Sequence, residues 1–382
     1  MNYTNAFLCK KYIGMKFCVF LLTVFLLFSC DFSEKKNENV WNMSLSPSTL
    51  ALNERIDSIS FVVLDDSNSE ALFKEIDKML YVNERFYILD YMGTSSVLVF
   101  DNKGTFLFKV GNVGQGPGEY TRVTDFDVNN DCIYLLDSRK RMIFSYDLNG
   151  KFIKHYSYLN KVAGVNDLIV TDEGDFLLGL DVEINSKEQV ILTDTNFVVK
   201  KNILYFDENA TRNHLNIGNF RRCGNDVVYY HPVSDIFYRF DRKGNIVESC
   251  NLLLDDNMPL EVKRDYIKIM DKRMSMNLSF FYKTPFVCGD FFVTEGIYQS
   301  ENGVVCADLT ERTWCWKEYK IEDHLSFLEL KFPKYINENR IITSFSGALY
   351  EYLDEESQFM LDDRGTILDK DGFMFVVYHL KD

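Results

Sequence analysis

The chain has 382 residues, 26% of them charged and 15% aromatic, with 20 Gly and only 6 Pro, which is the composition of a globular body and excludes a disordered or fibrous one. Its 42 Lys and Arg against 57 Asp and Glu give a net charge of −15. That is the wrong sign for phosphate neutralisation by counterion release, so neither nucleic acid nor an anionic lipid surface is an expected partner.

The first element in chain order is a leader. Residues 15–30 read MKFCVFLLTVFLLFSC, with Lys16 before an apolar run from Phe17 to Phe28, too short for a stable membrane span and of the length of a signal peptide. Met15 is a second candidate start. Leu27-Phe28-Ser29-Cys30 resembles the lipobox of bacterial lipoproteins, which implies a leader over 1–29, lipidation of Cys30 and an address at the cell envelope, outer membrane or cell surface. Each buried methylene of such an anchor contributes about 0.8 kcal/mol. Removing the leader takes away Lys10, Lys11 and Lys16 and no acid, so the net charge goes from −15 to −18. Residues 30–52 are polar and are expected to form a flexible tether, leaving 53–382 as the folded body. Six cysteines remain there, and Cys306 and Cys315 are placed to face each other across a hairpin turning near Thr310-Glu311, bridged or free.

The body is built on a repeat. FYILDYMGTSSVLVFDNKGTFLFKV (86–110) and IYLLDSRKRMIFSYDLNGKFIKHY (133–156) share one plan: a strand-like run ending in Asp, a polar turn, an alternating strand, Asp-x-x-Gly, and another strand. The unit recurs at 176–202 and 227–252. Its turn aspartates, Asp101, Asp147, Asp194 and Asp241, lie 46, 47 and 47 residues apart. Two more units follow, at 291–319 and at 341–353 continuing to 372–380. Six units of about four short strands predict an all-β, six-bladed β-propeller. The early strand Ser58–Leu64 has no unit of its own and is expected to close the ring beside Phe373–Leu380. Residues 256–282 interrupt the pattern, and Pro259 followed by Val262, Tyr266, Ile269 and Arg273 at helical spacing predicts one short helical insertion there.

With the repeat in place, VGNVGQGPGEYTRVTDFDV (110–128) resembles the glycine-rich Gly-Pro-Gly-Glu-Tyr signature of six-bladed β-propeller lipoproteins of Bacteroides and relatives, which are similar to NHL-repeat and TolB-like propellers. The resemblance spans the mature chain and implies a fold and an address rather than a reaction. A phosphate loop is the other reading of Gly114, Gly116 and Gly118, and it fails because strand-like sequence flanks both sides and Pro117 sits inside. A shaped turn between blades is expected, with Glu119, Tyr120 and Arg122 beside one mouth of the ring.

Aligned on their first strand-like run, the units place Asp90, Asp137, His231 and Glu295 at the fifth position, Asp181 one step late and Phe345 in the sixth. Read as innermost strands, these residues converge on one opening as an acidic mouth suited to a cation, an amine or a divalent metal. The competing role for Asp90 and Asp137 is to cap the next turn through backbone N–H groups. Asp127-x-Asn129-x-Asp131 has the first ligand spacing of a calcium loop, but Cys132 and Ser138 stand where Gly and the bidentate Glu belong. Trp314 and Trp316 share a strand face, as a sugar platform or an outer packing pair. No nucleophile elbow or cofactor loop is present, so the expectation is a monomeric binding module without a cofactor, its partner a small molecule, glycan, peptide or envelope protein. Six-bladed propellers also include metal-dependent lactonases and lyases, which keeps a metal-dependent hydrolase or lyase with Asp90, Asp137, His231 and Glu295 as its axial ligands as the alternative. An assembly role docking through 260–276 is the third reading.

Overall fold

In the computed structural model the described residues are 39–43, 55–181, 187–206, 218–224, 226–232, 234–263, 279–289, 291–309, 313–319, 325–328, 331–366 and 368–381. Two strands, β1 (Asn39–Met43) and β2 (Ile56–Val63), precede the first blade, which is β3 (Lys78–Val82), β4 (Arg85–Asp90), β5 (Ser96–Asp101) and β6 (Phe106–Lys109). A short parallel pair, β7 (Asn112–Val113) and β8 (Glu119–Tyr120), leads to blade 2: β9 (Asp125–Val128), β10 (Cys132–Asp137), β11 (Met142–Asp147) and β12 (Phe152–Ser157). Blade 3 is β13 (Val165–Val170), β14 (Phe176–Leu180), β15 (Glu188–Thr193) and β16 (Val199–Tyr205). Blade 4 is β17 (Phe220–Cys223), β18 (Asp226–Tyr230), β19 (Ile236–Phe240) and β20 (Ile246–Leu254). In blade 5, β21 (Phe280–Phe281) and β22 (Phe286–Cys288) share the inner position against β23 (Phe291–Tyr298), followed by β24 (Glu301–Asp308) and β25 (Thr313–Glu318). Blade 6 is β26 (Tyr335–Asn337), β27 (Arg340–Ser346) and β28 (Phe373–Leu380), completed by β2.

The ring closes as the sequence predicts. β2 runs antiparallel to β28 with Ile59 opposite Tyr378 and Val62 opposite Phe375, so the two ends of the folded body share one sheet. β1 departs from expectation. Residues 39–43 fall inside the anticipated tether, yet they add to blade 4 as a fifth strand parallel to β20, with Met43 fully buried. The outer edge of β20 offers unpaired backbone groups, and β1 covers them.

The middle strands are apolar on both faces because a blade is packed against a neighbour on each side. In β4, Phe86 and Ile88 join Phe375 and Val377 of blade 6, whereas Tyr87 and Leu89 join Ile133 and Leu135 of blade 2. At about 25 cal/mol per Å² of apolar surface, these seams supply most of the driving force.

The Asp-x-x-Gly turns join the third and fourth strands of a blade. Asp101 Oδ1 accepts from the N–H groups of Lys103 and Thr105, both at 2.9 Å, and Gly104 takes φ +88°. A Cβ at Gly104 would also lie 2.0 Å from the Val63 carbonyl oxygen, so no other residue fits. Asp147, Asp194 and Asp241 repeat the same pair of bonds.

Helix α1 (Leu260–Lys263) begins one residue after Pro259, where the sequence places it; residues 264–278 of the expected insertion lie outside the described residues. A second helix, α2 (Glu355–Asp363), lies between β27 and β28 and corrects the expectation of a single insertion. Its start was readable in the sequence: Asp354 caps it by accepting from Ser357 N–H at 2.7 Å, ahead of Glu355 and Glu356 in the first turn.

Cys306 stands directly opposite Cys315 on β24 and β25, with no disulfide between them. Trp314 and Trp316 are largely buried, edge-on to Phe292 and Tyr298 respectively, which makes them a packing pair of the outer strand.

Candidate functional site

The residues that face the ring axis come from β3, β9, β13, β17, β21/β22 and β26, which are the innermost strands. The runs that carry Asp90, Asp137, Asp181, His231 and Glu295 are the second strands, β4, β10, β14, β18 and β23, and this corrects the sequence alignment. Because β4 is antiparallel to β3, with Leu89 opposite Lys78, Asp90 emerges at the same end of the ring as the start of β3. These residues therefore lie one strand further from the axis than the alignment assumes, about 4.8 Å.

At that radius the two aspartates serve the backbone. Asp90 is fully buried and accepts from the N–H groups of Lys74, Gly93 and Thr94. Asp137, also fully buried, accepts from Thr121, Arg122, Arg139 and Lys140. His231 is buried edge-on to Phe206, and burial pushes its imidazole down to about 4, so it is neutral near pH 7. Asp181 is half-buried at the end of β14, its N–H bonded to the Gly164 carbonyl at 2.7 Å. Glu295 accepts from the Tyr319 hydroxyl. Glu119 binds Gly116 N–H at 2.7 Å, Tyr120 is buried with its hydroxyl 2.9 Å from Val110 O, and the Arg122 guanidinium stacks 4.0 Å above the Tyr91 ring. The glycine-rich segment is thus a shaped connection from blade 1 to blade 2. Among the described residues no three His, Cys, Asp or Glu side chains converge to hold a metal, and Asp127, first in the calcium-like spacing, is held by the Arg222 guanidinium.

On the axis lies a cavity of about 200 Å³, lined from the innermost strands or their entries in blades 1, 2, 4, 5 and 6. Around it, side chains bridge one blade to the next where inner strands are too far apart to share a ladder. Lys78 of blade 1 meets Asp125 of blade 2 at 2.6 Å. Asp125 and Asp127 accept from Leu168 and Val170 N–H of blade 3 at 2.8 and 2.7 Å. Asp167 of blade 3 accepts from Asn219, backbone and side chain, at the entry to blade 4. Arg221 Nε of blade 4 donates to Thr284 O of blade 5 at 3.0 Å, and Lys334, at the entry to blade 6, donates to Ile76 O of blade 1 at 2.8 Å. The seam between blades 5 and 6 has no such bridge among the described residues, and there Lys283 lines the cavity with its ammonium unbonded.

The electrostatics of this cavity are opposite to the expected acidic mouth. Asp125 and Asp127 are neutralised by Lys78 and Arg222. Asp77 is the remaining carboxylate of the lining; burial raises its pKa, against the Tyr91 N–H that it accepts at 2.7 Å. Arg221, Lys283 and Lys334 line the same space, and among the described residues no carboxylate forms an ion pair with any of them. Burial pulls Arg221 down to about 10, and it lowers Lys334 as well, helped by the charge of Lys283 and opposed by Glu295 and Glu75. The Arg221 guanidinium lies 4.2 Å over the Phe286 ring and 5.1 Å from that of Phe332, which fixes its plane. The sequence signal for this site was Arg221-Arg222 inside an apolar strand, a pattern that a half-buried strand tolerates only where it faces a polar space.

Six blades of four or five strands, closed by β2 on β28 and enclosing a charged axial cavity, define a six-bladed β-propeller. The family model described as a domain of unknown function, DUF4934, matches residues 38–366, and the chain belongs to that family. Its structure is similar to that of a candidate exported protein from Bacteroides fragilis, at 16% identity and a TM-score of 0.70 over 90% of this chain and 100% of that one. It is also similar to a member of the DUF4221 family from Bacteroides vulgatus, at 11% identity and a TM-score of 0.53 over 86% of this chain and 98% of that one. At these identities the likeness is one of fold. No curated protein matches the sequence.

Proposed function

We propose that the protein is a binding module of the bacterial envelope: a lipid on Cys30 anchors it, a short polar segment follows, and a monomeric propeller of the NHL- and TolB-like kind receives a ligand in its axial cavity. One observation carries this reading. Among the described residues the axial residues of five seams are engaged in bridges between blades, whereas the ammonium of Lys283, at the sixth, lines the cavity with no hydrogen bond or ion pair. A half-buried ammonium that the fold leaves unused on a cavity wall is available to a ligand that meets it. The leader sequence and the exported relative of like fold support the address. A hydrolase or lyase built on Asp90 and Asp137 is disfavoured, because both carboxylates already bind backbone N–H groups.

The test is thermal unfolding of the full chain in detergent with a desalted small-molecule extract of the envelope. Wild type is expected to be stabilised, and Lys283→Trp, which fills the cavity without removing a hydrogen bond, is expected to lose the effect. Equal stabilisation of both proteins would refute the reading.

A further inference from the structure

We infer that the axial cavity binds a small polyanion, a molecule with two or more carboxylate or phosphate groups, held by Arg221, Lys283 and Lys334. The inference rests on the axial cavity being the binding site, and it adds the chemistry of the ligand. The three cations come from three different blades onto one space of about 200 Å³. Among the described residues, the fold uses one donor of Arg221, its Nε, and one of Lys334, and none of Lys283. The Arg221 guanidinium therefore keeps both Nη groups for a planar, bidentate oxyanion, with its plane set by Phe286 and Phe332. Lys283 and Lys334 supply compact point charges beside it, each lacking a carboxylate partner among the described residues.

The acids around the site do not cancel this charge. Asp77 faces the cavity, bonded to Tyr91 N–H and attracting Lys334 without forming an ion pair with it, and Glu295 is bonded to the Tyr319 hydroxyl. Glu75 and Glu295 act on Lys334 from a distance, where their pull is outweighed by burial and by the repulsion of Lys283. Three like charges held together are mutually destabilising, and a bound polyanion relieves both the repulsion and the desolvation. Leu80, Phe220 and Phe286 give the cavity an apolar wall, so the ligand combines acidic groups with a compact carbon body.

The experiment measures binding of citrate and of pyrophosphate, a carboxylate and a phosphate probe, to the full chain by calorimetry, with spermidine as the cationic counterpart. At least one anion is expected to bind wild type, with an affinity that falls as salt is raised. Lys283→Gln, which breaks no bond, and Lys334→Met should each weaken it about ten- to a hundredfold, the equivalent of one charge-assisted hydrogen bond. Preference for citrate or pyrophosphate identifies the acid group. Binding of spermidine alone, no binding of either anion, or anion binding unchanged in both variants would overturn the inference. The two readings fail separately: the binding-module reading fails if the envelope extract stabilises Lys283→Trp as much as wild type, whereas stabilisation of Lys283→Gln but not of Lys283→Trp keeps the cavity as a site and overturns only its anionic ligand.

Discussion

Replacing Asp137 by Asn separates a ligand-binding carboxylate from a structural one. Asp137 Oδ2 accepts from Thr121 and Arg122 N–H at 2.6 and 3.3 Å, and Oδ1 accepts from Arg139 and Lys140 N–H at 3.0 and 2.9 Å, with the side chain fully buried. An asparagine keeps one oxygen for one pair of donors and turns an NH₂ group toward the other pair. Two charge-assisted bonds are lost, at about 1.5–3 kcal/mol each, so the cost is about 3–6 kcal/mol. For the 344 residues of the unit 39–382, an unfolding entropy of about 2.1 cal/mol/K per residue converts that to a fall in Tm of about 4–8 °C. Glu295→Gln, which alters one half-exposed acceptor, is expected to cost less than about 1 kcal/mol. Scanning calorimetry of both variants decides the matter. An unchanged Tm in Asp137→Asn, together with a lost response to ligand, would refute the capping role and restore Asp137 as a binding residue.

Further outcomes follow from single features. Burial, reinforced by Asp125, pushes the Asp167 carboxyl up to about 7, so between about pH 4 and 7 the folded state holds a proton that the unfolded chain has released. Stability then declines as pH rises through that window, by at most about 4 kcal/mol, and urea midpoints of Asp167→Asn should lack the decline; identical pH profiles would refute this. Lys263, buried against Asp235, should cost about 3–5 kcal/mol when changed to Met, most of it regained with Asp235→Leu, and additive denaturation midpoints in the double variant would count against the pairing. Deletion of 56–63 leaves β28 with an open edge and is expected to abolish cooperative unfolding, so an unaltered calorimetric transition would contradict the ring closure. Burial pushes the Cys223 thiol up to about 12 and raises that of Cys306 too, so mass spectrometry after iodoacetamide should find Cys132, Cys288 and Cys315 alkylated before Cys223 and Cys306 in the native state.

The ring was legible because its most regular signal is a local hydrogen-bonded constraint on the backbone. Asp101, Asp147, Asp194 and Asp241 each bond the N–H groups two and four residues on, so each turn fixes local residue types and the spacing of turns counts blades. Even the blade without glycine obeys it, with Phe197 at φ +60° in the glycine position. The closing strand was legible for a related reason: an apolar run without a unit has to find an edge. β1 was not, because NVWNM sits among polar residues and its pairing partner, β20, lies some 210 residues away.

The phase of the repeat was the real ambiguity, and it explains why the site was misplaced. A repeat has no intrinsic first strand, and the two middle strands ahead of the Asp-x-x-Gly turn are the regular ones because both their faces are buried between blades. The innermost strand has one margin on the axis, so its sequence varies from blade to blade: KMLYV, DFDV, VNDLIV, FRRC. That irregularity is where the site resides. It also reconciles the charge of the chain with the charge of its cavity. The acids that give the net −15 are largely placed in turns and surface loops, or are paired at the seams, whereas Arg221, Lys283 and Lys334 gather in one half-enclosed space where solvent screens them least. Net charge constrains what the outside of the molecule attracts; the sign of a cavity is set by the few residues whose strands reach the axis.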